Sequence, residues 1–396
     1  MKYNFDEIIP RENTNCVKYD LRKKFFGNEN VIPMWVADMD FASPDFVRQA
    51  VMERAIHPVY GYTIIPDSLY ESIINWQKRR HGWNIEKDWI SLTPGIVPAL
   101  NLAVMALTGP GEKVIVQPPV YFPFFSAVTK NKRELVYNQL KAENGVYEMD
   151  FKDLEEKCDK KTKLLLLCHP QNPAGRVWNK DVLEKLVNIC AARNIIIVSD
   201  EIHSDLMLNK NKHVPLASLS ETAAKLSITC IAPSKTFNLA GLASSALIIP
   251  DPGIKKRMDM VIDQVHIGSC NLFGMTAMQA AYENGDDWLD QLIRYLEGNL
   301  ELLIDFIGEK IPGVKVFIPD ATYMVWLDFR GLGLTKTQLN ELIINKAGLG
   351  LSDGSMFGPG GDGFQRLNFA LPRKQLLIAL RQLEQAVSQS ASLFLP

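Results

Sequence analysis

Residues 194–200 read NIIIVSD, a run of aliphatic residues that ends in a serine and an aspartate. Such a run is typical of a strand that is buried on both faces of a sheet. Segments such as DVLEKLVNICAAR (181–193) place apolar residues at helical spacing between such runs. Together they predict an α/β fold with a mostly parallel central sheet and helices on both faces. The other runs of this kind are KVIVQ (113–117), ELVYNQL (134–140), KLLLLCH (163–169), KLSITCIA (225–232) and SALIIP (245–250).

The C-terminal part of the chain has a different pattern. Residues 286–310 (DDWLDQLIRYLEGNLELLIDFIGEK) predict one long amphipathic helix. We expect a large domain at 46–284, a smaller α+β domain at 285–396, and an N-terminal segment, 1–45, that packs with the small domain. The other predicted elements of the small domain are strands in VKVFI (314–318) and TYMVWLDF (322–329), the segment QRLNFA (365–370) and a helix at 373–387.

Length and composition restrict the function classes. A chain of 396 residues with 47% hydrophobic and 22% charged residues is ordinary for a globular protein of more than one domain. A net charge of -2 gives no extended basic surface, so we expect no nucleic-acid partner. The first residues lack the apolar core of a signal peptide, and no apolar run approaches the ~20 residues that a bilayer requires. We therefore expect a cytoplasmic protein with small-molecule ligands and no membrane association.

The cysteines and histidines are dispersed. No C-x-x-C pair and no H-E-x-x-H spacing occurs, so we predict free, buried thiols and no metal. The cysteines are Cys16, Cys158, Cys168, Cys190, Cys230 and Cys270.

One lysine follows a predicted strand directly. The segment APSKT (232–236) places Lys235 at the carboxyl edge of the sheet, where open α/β sheets bind ligands. A lysine between apolar segments loses its proton at modest cost and can form a Schiff base with an aldehyde. The alternative is a solvated surface lysine.

Asp200 ends the NIIIVSD strand, where a buried carboxylate requires a partner. The protonated pyridine nitrogen of pyridoxal phosphate is such a partner, and the ring then accepts electrons from a carbanion. A helix cap is the alternative role for Asp200. His203, three residues later, either reaches the phenolic oxygen of the same ring or is an ordinary loop histidine.

Two turns complete a possible cofactor site. QNPAGR (171–176) follows an apolar strand, and its proline and glycine enforce a turn from which Asn172 can donate to the phenolate oxygen. TPGIVP (93–98) leads into an apolar helix, whose free backbone N–H groups accommodate a phosphate. Each feature also occurs without a ligand. Their joint order along the chain favours one shared site.

In this order of motifs the sequence resembles the fold-type I pyridoxal-phosphate enzymes of the aminotransferase superfamily, over essentially the whole chain. It is most similar to the MalY/PatB-type cystathionine β-lyase branch. The strings that carry this resemblance are RENTNCVKYD (11–20), MWVADMDF (34–41), YGYT (60–63), SDEIHSDL (199–206) and APSKTFNLAGL (232–242).

The resemblance implies a role for individual residues around a pyridoxal 5′-phosphate cofactor. Lys235 forms the Schiff base and is catalytic, as is Tyr121, which stacks on the ring. Substrate contacts are implied for Ala37, Asn172 and Arg366, where Arg366 takes the α-carboxylate in a bidentate grip. The alternative for Arg366 is a salt bridge that closes the domains. The implied cofactor contacts are Gly95, Ile96, Val97, Tyr121, Asn172, Asp200, His203, Ser234 and Lys235.

One position departs from the wider superfamily. Many relatives have an arginine for the phosphate eight residues beyond the lysine, but this chain has Ala243. The resemblance implies that a tyrosine of the partner subunit contributes instead, so we expect a homodimer with shared active sites. Tyr62 in YGYT is the candidate and Tyr60 the second choice, whereas a packed loop is the alternative reading.

The resemblance further implies a carbon–sulfur β-lyase that converts L-cystathionine or a related cysteine S-conjugate into a thiol, pyruvate and ammonia. For cystathionine the thiol is homocysteine. An aminotransferase would use the same catalytic residues and remains the first alternative. A cofactor-bearing regulatory protein that binds a transcription factor is an alternative of another class.

Overall fold

The fold was analysed in a computed structural model that describes residues 2–143, 145–268 and 271–394. Cys270 lies outside these residues. The strands, in chain order, are β1 (Ile32–Pro33), β2 (Ile90–Thr93), β3 (Lys113–Val116), β4 (Glu134–Tyr137), β5 (Lys141–Glu143), β6 (Val146–Glu148), β7 (Thr162–Cys168), β8 (Ile196–Asp200), β9 (Ser227–Ile231), β10 (Ser245–Ile248), β11 (Lys315–Phe317), β12 (Met324–Asp328), β13 (Leu349–Gly350), β14 (Ser352–Asp353) and β15 (Phe364–Asn368).

The helices alternate with these strands through most of the chain. In chain order they are α1 (Val17–Asp20), α2 (Arg22–Phe26), α3 (Asp45–Ile56), α4 (Asp67–His81), α5 (Ile96–Leu107), α6 (Pro123–Thr129), α7 (Phe151–Lys157), α8 (Lys180–Ala191), α9 (Glu221–Lys225), α10 (Pro233–Thr236), α11 (Pro252–Gln264), α12 (Leu272–Asn284), α13 (Asp286–Lys310), α14 (Lys336–Asn340) and α15 (Arg373–Phe394).

A seven-stranded sheet forms the centre of the fold, in the order β2-β10-β9-β8-β7-β3-β4. The strands from β9 to β4 in this order run parallel, and β10 runs antiparallel to both β9 and β2. Strand β2 is therefore parallel to β9, so the carboxyl ends of β2, β7, β8 and β9 lie at one edge. The predicted mostly parallel α/β sheet is confirmed.

The central sheet is buried on both faces, as the aliphatic runs predicted. Successive residues of β7 alternate between two apolar clusters: Leu164 and Leu166 belong to one, and Leu165 and Leu167 to the other. This alternation follows from the pleat of a strand. Helices α5 and α11 cover the first face, and α8 covers the second.

A second, four-stranded antiparallel sheet has the order β11-β12-β15-β14. Helix α13 spans residues 286–310 without a break, as predicted from its apolar spacing, and contributes to the core with α15. The N-terminal segment reaches this part of the chain, because β1 pairs in parallel with β13.

Some features differ from the sequence-based expectation. The short strand β2 and the hairpin of β5 and β6 were not predicted, because runs of three or four residues carry little periodicity. Cys16 and Cys158 are free thiols but only partly buried, whereas Cys168, Cys190 and Cys230 are free and buried. Within the described ranges, none of the helices is long and apolar enough to traverse a bilayer.

Candidate active site

Lys235 lies where the chain leaves the buried strand β9. Pro233 begins the short helix α10, a position at which its missing N–H costs no helical hydrogen bond. The Lys235 amino group donates to the backbone oxygen of Ala37 at 2.6 Å. Desolvation by burial lowers the pKa of Lys235 to about 8, partly opposed by the negative charge of Asp38. The structure thus places Lys235 in a cavity rather than on the solvated surface.

Asp200 is the last residue of β8 and is 5% exposed. One of its oxygens accepts the backbone N–H of Ile202 at 3.1 Å, which stabilises the turn after the strand. Desolvation raises the pKa of Asp200 to about 7, and that hydrogen bond opposes the shift. No described helix begins at Ile202, so Asp200 caps a turn and not a helix. A cation placed beside this carboxylate would lower its pKa again.

His203 lies on the loop that follows Asp200 and is buried. Its Nδ1 atom has no hydrogen-bond partner among the described residues. Burial lowers the pKa of His203 to about 3, and the charges of Lys235 and Arg366 add to this effect. A neutral imidazole with a free nitrogen is therefore available to a ligand in the cavity.

Asn172 lies on the turn after β7 and is also buried. Its backbone N–H donates to the Cys168 sulfur at 3.3 Å, which fixes the turn against the end of the strand. Its side-chain oxygen accepts a hydrogen bond from Arg366 at 3.0 Å. The structure thus brings together Asn172 and Arg366, two of the three predicted substrate contacts.

Arg366 extends from β15 of the smaller sheet and is 4% exposed. Its guanidinium also donates to the Trp35 backbone oxygen at 2.7 Å and to the Ser352 hydroxyl at 3.3 Å. Its Nε has no partner, and no carboxylate pairs with it among the described residues. Desolvation lowers the pKa of Arg366 to about 10. The alternative of a domain-closing salt bridge is therefore wrong for the described chain.

The first turn of helix α5 forms another wall of the site. Gly95 precedes the helix, and the backbone N–H groups of its first residues have no acceptor within it. Tyr121 also lines the cavity, and burial raises the pKa of its hydroxyl. The full cavity lining is Ala37, Pro94, Gly95, Ile96, Val97, Tyr121, Cys168, Asn172, Asp200, Ile202, His203, Ser234, Lys235, Ala240, Ala243 and Ser244.

The two candidate phosphate tyrosines lie apart from this cavity. Tyr62 is fully exposed, and Tyr60 is 58% exposed and donates to the Ala55 backbone oxygen. Ala243 does line the cavity, in a left-handed conformation with φ 44°. Neither tyrosine lines the cavity, and residues 60–63 are all exposed in the described chain.

Sequence reasoning did not identify every residue at the site. Tyr323 is buried, and its hydroxyl donates to the Ala37 oxygen at 2.9 Å, the same atom that binds Lys235. Ser244 and Ala240 line the cavity near the lysine helix. The only available indication for Tyr323 was its place near the start of the strand predicted at 322–329, which does not separate a core tyrosine from a functional one.

Comparisons with known proteins agree with this arrangement. The family model for aminotransferase class I and II matches residues 29–383. Cystathionine beta-lyase PatB from Bacillus subtilis is 44% identical over 386 residues, which cover 97% of this chain and 100% of PatB.

Two solved structures are similar over nearly the whole length. Cystalysin from Treponema denticola, which contains a pyridoxal 5′-phosphate cofactor, has a TM-score of 0.95 and 36% identity and covers 98% of this chain and 100% of its own. The PLP-bound C-S lyase from Staphylococcus hominis has a TM-score of 0.89 and 33% identity and covers 97% of this chain and 98% of its own.

Proposed function

We propose that this chain, which belongs to the aminotransferase class I and II family, is a pyridoxal-phosphate-dependent carbon–sulfur β-lyase. Its reaction cleaves L-cystathionine, or a related cysteine S-conjugate, with water to a thiol, pyruvate and ammonia. The observation that carries this proposal is the 44% identity to a cystathionine β-lyase over 97% of the chain. The geometry of the cavity is consistent with it in the following respects.

The residues present fit pyridoxal phosphate. A lysine with a pKa near 8 suits a bond to an aldehyde, since its neutral form is accessible near neutral pH. The desolvated Asp200 carboxylate suits a protonated ring nitrogen, because it accepts only one hydrogen bond and has no cation paired with it among the described residues. His203 lines the same cavity and adds an unpartnered buried polar atom, its Nδ1.

We assign the phosphate to the first turn of helix α5, which lines the same cavity. The backbone of Gly95, Ile96 and Val97 starts helix α5, where free N–H groups and the helix dipole favour an anion. Ser234 lines the same cavity one residue before Lys235. We propose that Tyr121 stacks on the ring and that Asn172 and His203 face its phenolic oxygen.

Arg366 is the proposed site for the substrate α-carboxylate. Its buried guanidinium is held by three neutral acceptors and has no carboxylate partner in the described chain. A buried cation without a counter-ion is costly, so an anionic group that completes its hydrogen bonds is bound strongly. Ala37 lines the cavity nearby and contributes backbone contact.

When bound, pyridoxal phosphate accepts the electrons left on the substrate Cα after a proton is removed. Lys235 removes that proton, because it is the only lysine that lines this cavity among the described residues. Asp200 stabilises positive charge at the ring nitrogen through its buried carboxylate. The β-thiolate leaves as the C–S bond breaks, and Arg366 keeps the amino acid oriented throughout.

The decisive experiment is a product assay. Purified enzyme with L-cystathionine and no added keto acid should release homocysteine, pyruvate and ammonia in equal amounts. Turnover that requires a keto-acid acceptor would establish an aminotransferase instead. If neither reaction occurs with enzyme fully loaded with pyridoxal phosphate, the proposal fails, and a binding role becomes the hypothesis to test.

We further propose a homodimer in which Tyr62 of one subunit contacts the phosphate in the other. The segment around Tyr62 carries exposed apolar side chains: Ile56 is 79%, Val59 61% and Ile64 82% exposed. Such a patch is unusual on a monomer and favours an interface. A symmetric interface would bring one copy of this segment to each of two shared sites.

The division into a large domain (46–284), a small domain (285–396) and an N-terminal segment (1–45) also stays a proposal. It is supported by the separate seven-stranded and four-stranded sheets. A cytoplasmic location is proposed as well, because the five described cysteines are all free thiols.

A further inference from the structure

Three distant parts of the chain meet at one backbone oxygen. The Ala37 oxygen accepts a hydrogen bond from the Lys235 amino group at 2.6 Å and another from the Tyr323 hydroxyl at 2.9 Å. Lys235 follows β9 of the central sheet, and Tyr323 immediately precedes β12 of the smaller sheet. A carbonyl oxygen has two lone pairs, so these two donors occupy it fully.

The Tyr323 side chain is a fixed donor. It is 1% exposed, and its ring contacts the imidazole of His203 edge to face at 6.2 Å between centroids. Burial raises the pKa of the Tyr323 hydroxyl, and the negative charge of Asp38 raises it further. The raised pKa favours the protonated hydroxyl, which donates to the Ala37 oxygen.

The backbone that carries Tyr323 is held in an unusual conformation. Thr322 has φ 75°, which is rare for a β-branched residue and costs energy unless neighbouring contacts impose it. Its N–H donates to the Leu206 oxygen at 2.7 Å, and Ala321 N–H donates to the Gly175 oxygen at 3.0 Å. These bonds connect the residues before Tyr323 to the loops that follow Asp200 and Asn172.

The segment that carries Ala37 is fixed from the other side. The Asn368 side-chain amide donates to the backbone oxygens of Val36 at 2.8 Å and Asp38 at 2.6 Å. The peptide on each side of Ala37 is thus held, and the Tyr323 hydroxyl sets the direction of the oxygen between them.

We propose that Tyr323 is a positioning residue for Lys235, holding the Ala37 carbonyl as the acceptor on which the lysine amino group rests whenever it is not bonded to the cofactor. This inference rests on the proposed function, because it assigns the resting place of the proposed base. The Tyr323 hydroxyl also shares the acceptor with the lysine, so it limits how strongly that oxygen stabilises the protonated amine. Loss of the hydroxyl leaves the ammonium as the sole donor and frees it to approach Asp38.

Both consequences favour the charged form of Lys235, so Tyr323→Phe should raise the pKa of this lysine. The test uses cofactor-free protein and needs no turnover. Trace acetic anhydride is added at a series of pH values, and acetylation of the peptide that contains Lys235 is measured by mass spectrometry. The exposed Lys225 serves as the internal reference in the same sample.

At pH 7 we expect Lys235 to be acetylated about fivefold more slowly in Tyr323→Phe than in the wild type. A change of this size corresponds to the net free energy of about one hydrogen bond. The two rates should converge near pH 11, where the lysine is neutral in both proteins. The matched control is Tyr147→Phe, since Tyr147 is also buried and its hydroxyl accepts from the Trp326 indole at 3.3 Å, outside the cavity lining.

Equal pH profiles in Tyr323→Phe and Tyr147→Phe would overturn the proposal. So would a slower rate in Tyr323→Phe that persists at high pH, because that result means altered access of the reagent and not an altered pKa of Lys235.

In the enzyme loaded with cofactor, Tyr323→Phe should lower kcat and increase the isotope effect of a Cα-deuterated substrate, with KM almost unchanged. The acetylation experiment needs no turnover, so its result remains valid even if the product assay rejects the proposed lyase. Failure of the role proposed for Tyr323 and failure of the proposed function are therefore distinguishable.

Discussion

Arg366 and Asn172 are 194 residues apart in the chain, yet the Arg366 guanidinium donates to the Asn172 side-chain oxygen at 3.0 Å. This bond connects strand β15 of the smaller sheet to the turn that follows β7 of the central sheet. It places a buried cation beside the cavity that Lys235 lines, and no carboxylate of residues 2–143, 145–268 or 271–394 pairs with that cation. The proposed substrate site therefore depends on how the two sheets are packed.

Arg366→Lys should raise KM for the amino-acid substrate by about 10- to 100-fold, because the planar paired donors are lost while the charge is kept. Steady-state kinetics and cofactor titration measure the two effects separately. Cofactor affinity should change little. Arg330→Lys is the matched control, since Arg330 donates twice to Asp328 on the same sheet. An unchanged KM would remove Arg366 from the substrate site.

Lys235→Ala should lower kcat by at least about a thousandfold, since both the proposed covalent bond and the proposed base are removed. It should also abolish the labelled adduct that borohydride fixes between protein and cofactor. Peptide mapping of the wild-type adduct provides the direct check, with Lys225→Ala as an exposed-lysine control. An adduct at any other lysine contradicts the assignment.

Asp200→Ala should retain some cofactor but lose at least ~3–4 kcal/mol of transition-state stabilisation, or several hundredfold in kcat. The reason is that an unprotonated ring nitrogen stabilises the carbanion poorly. Glu201→Gln is the control, because that neighbouring carboxylate binds His213 at 2.7 Å and does not line the cavity. Near-normal turnover in Asp200→Ala would show that Asp200 is not needed for catalysis and only stabilises the turn through Ile202.

As the pH is lowered from 6.5 to 3, the free energy of unfolding of the cofactor-free protein should decrease, partly because of His169. Burial lowers the pKa of His169 to about 3, and its Nδ1 has no hydrogen-bond partner among the described residues. The unfolded chain binds this proton at a higher pH than the folded chain, so acid favours unfolding. The slope contributed is up to about 1.4 kcal/mol per pH unit.

Urea unfolding of wild type and His169→Gln at several pH values measures this contribution. The variant should lose stability less steeply as the pH falls, although it starts lower. Replacement of the exposed His57 by glutamine provides the control for a histidine that folding leaves in solvent. Parallel curves for wild type and His169→Gln would show that folding does not lower the pKa of His169.

Mixing Lys235→Ala subunits with Tyr62→Ala subunits should restore activity. In a heterodimer with shared sites, both lesions fall in one site and the other site stays intact. Tagged purification confirms that heterodimers have formed before activity is measured. Heterodimers no more active than either parent would place Tyr62 outside the partner's active site.

The sequence by itself determined the central sheet and the order of the cofactor motifs. Short aliphatic runs rich in β-branched residues, such as residues 194–200, favour a strand buried on both faces, because exposed apolar side chains are costly and the run is short for a helix. Parallel strands then bring their carboxyl ends to one edge, which is why Lys235 and Asp200 line one cavity as the pattern indicated.

The tertiary structure alone decided the contacts between distant segments. Ala37 is 198 residues from Lys235 and 286 from Tyr323, and no local periodicity relates them. The lack of an ion pair to Arg366 in the part of the chain that the structure describes, and the exposure of Tyr62, likewise follow from the packing of whole elements. The physical reason is that strand and helix patterns depend on near neighbours in the chain, whereas burial, desolvation and shared hydrogen-bond acceptors depend on which surfaces meet after folding.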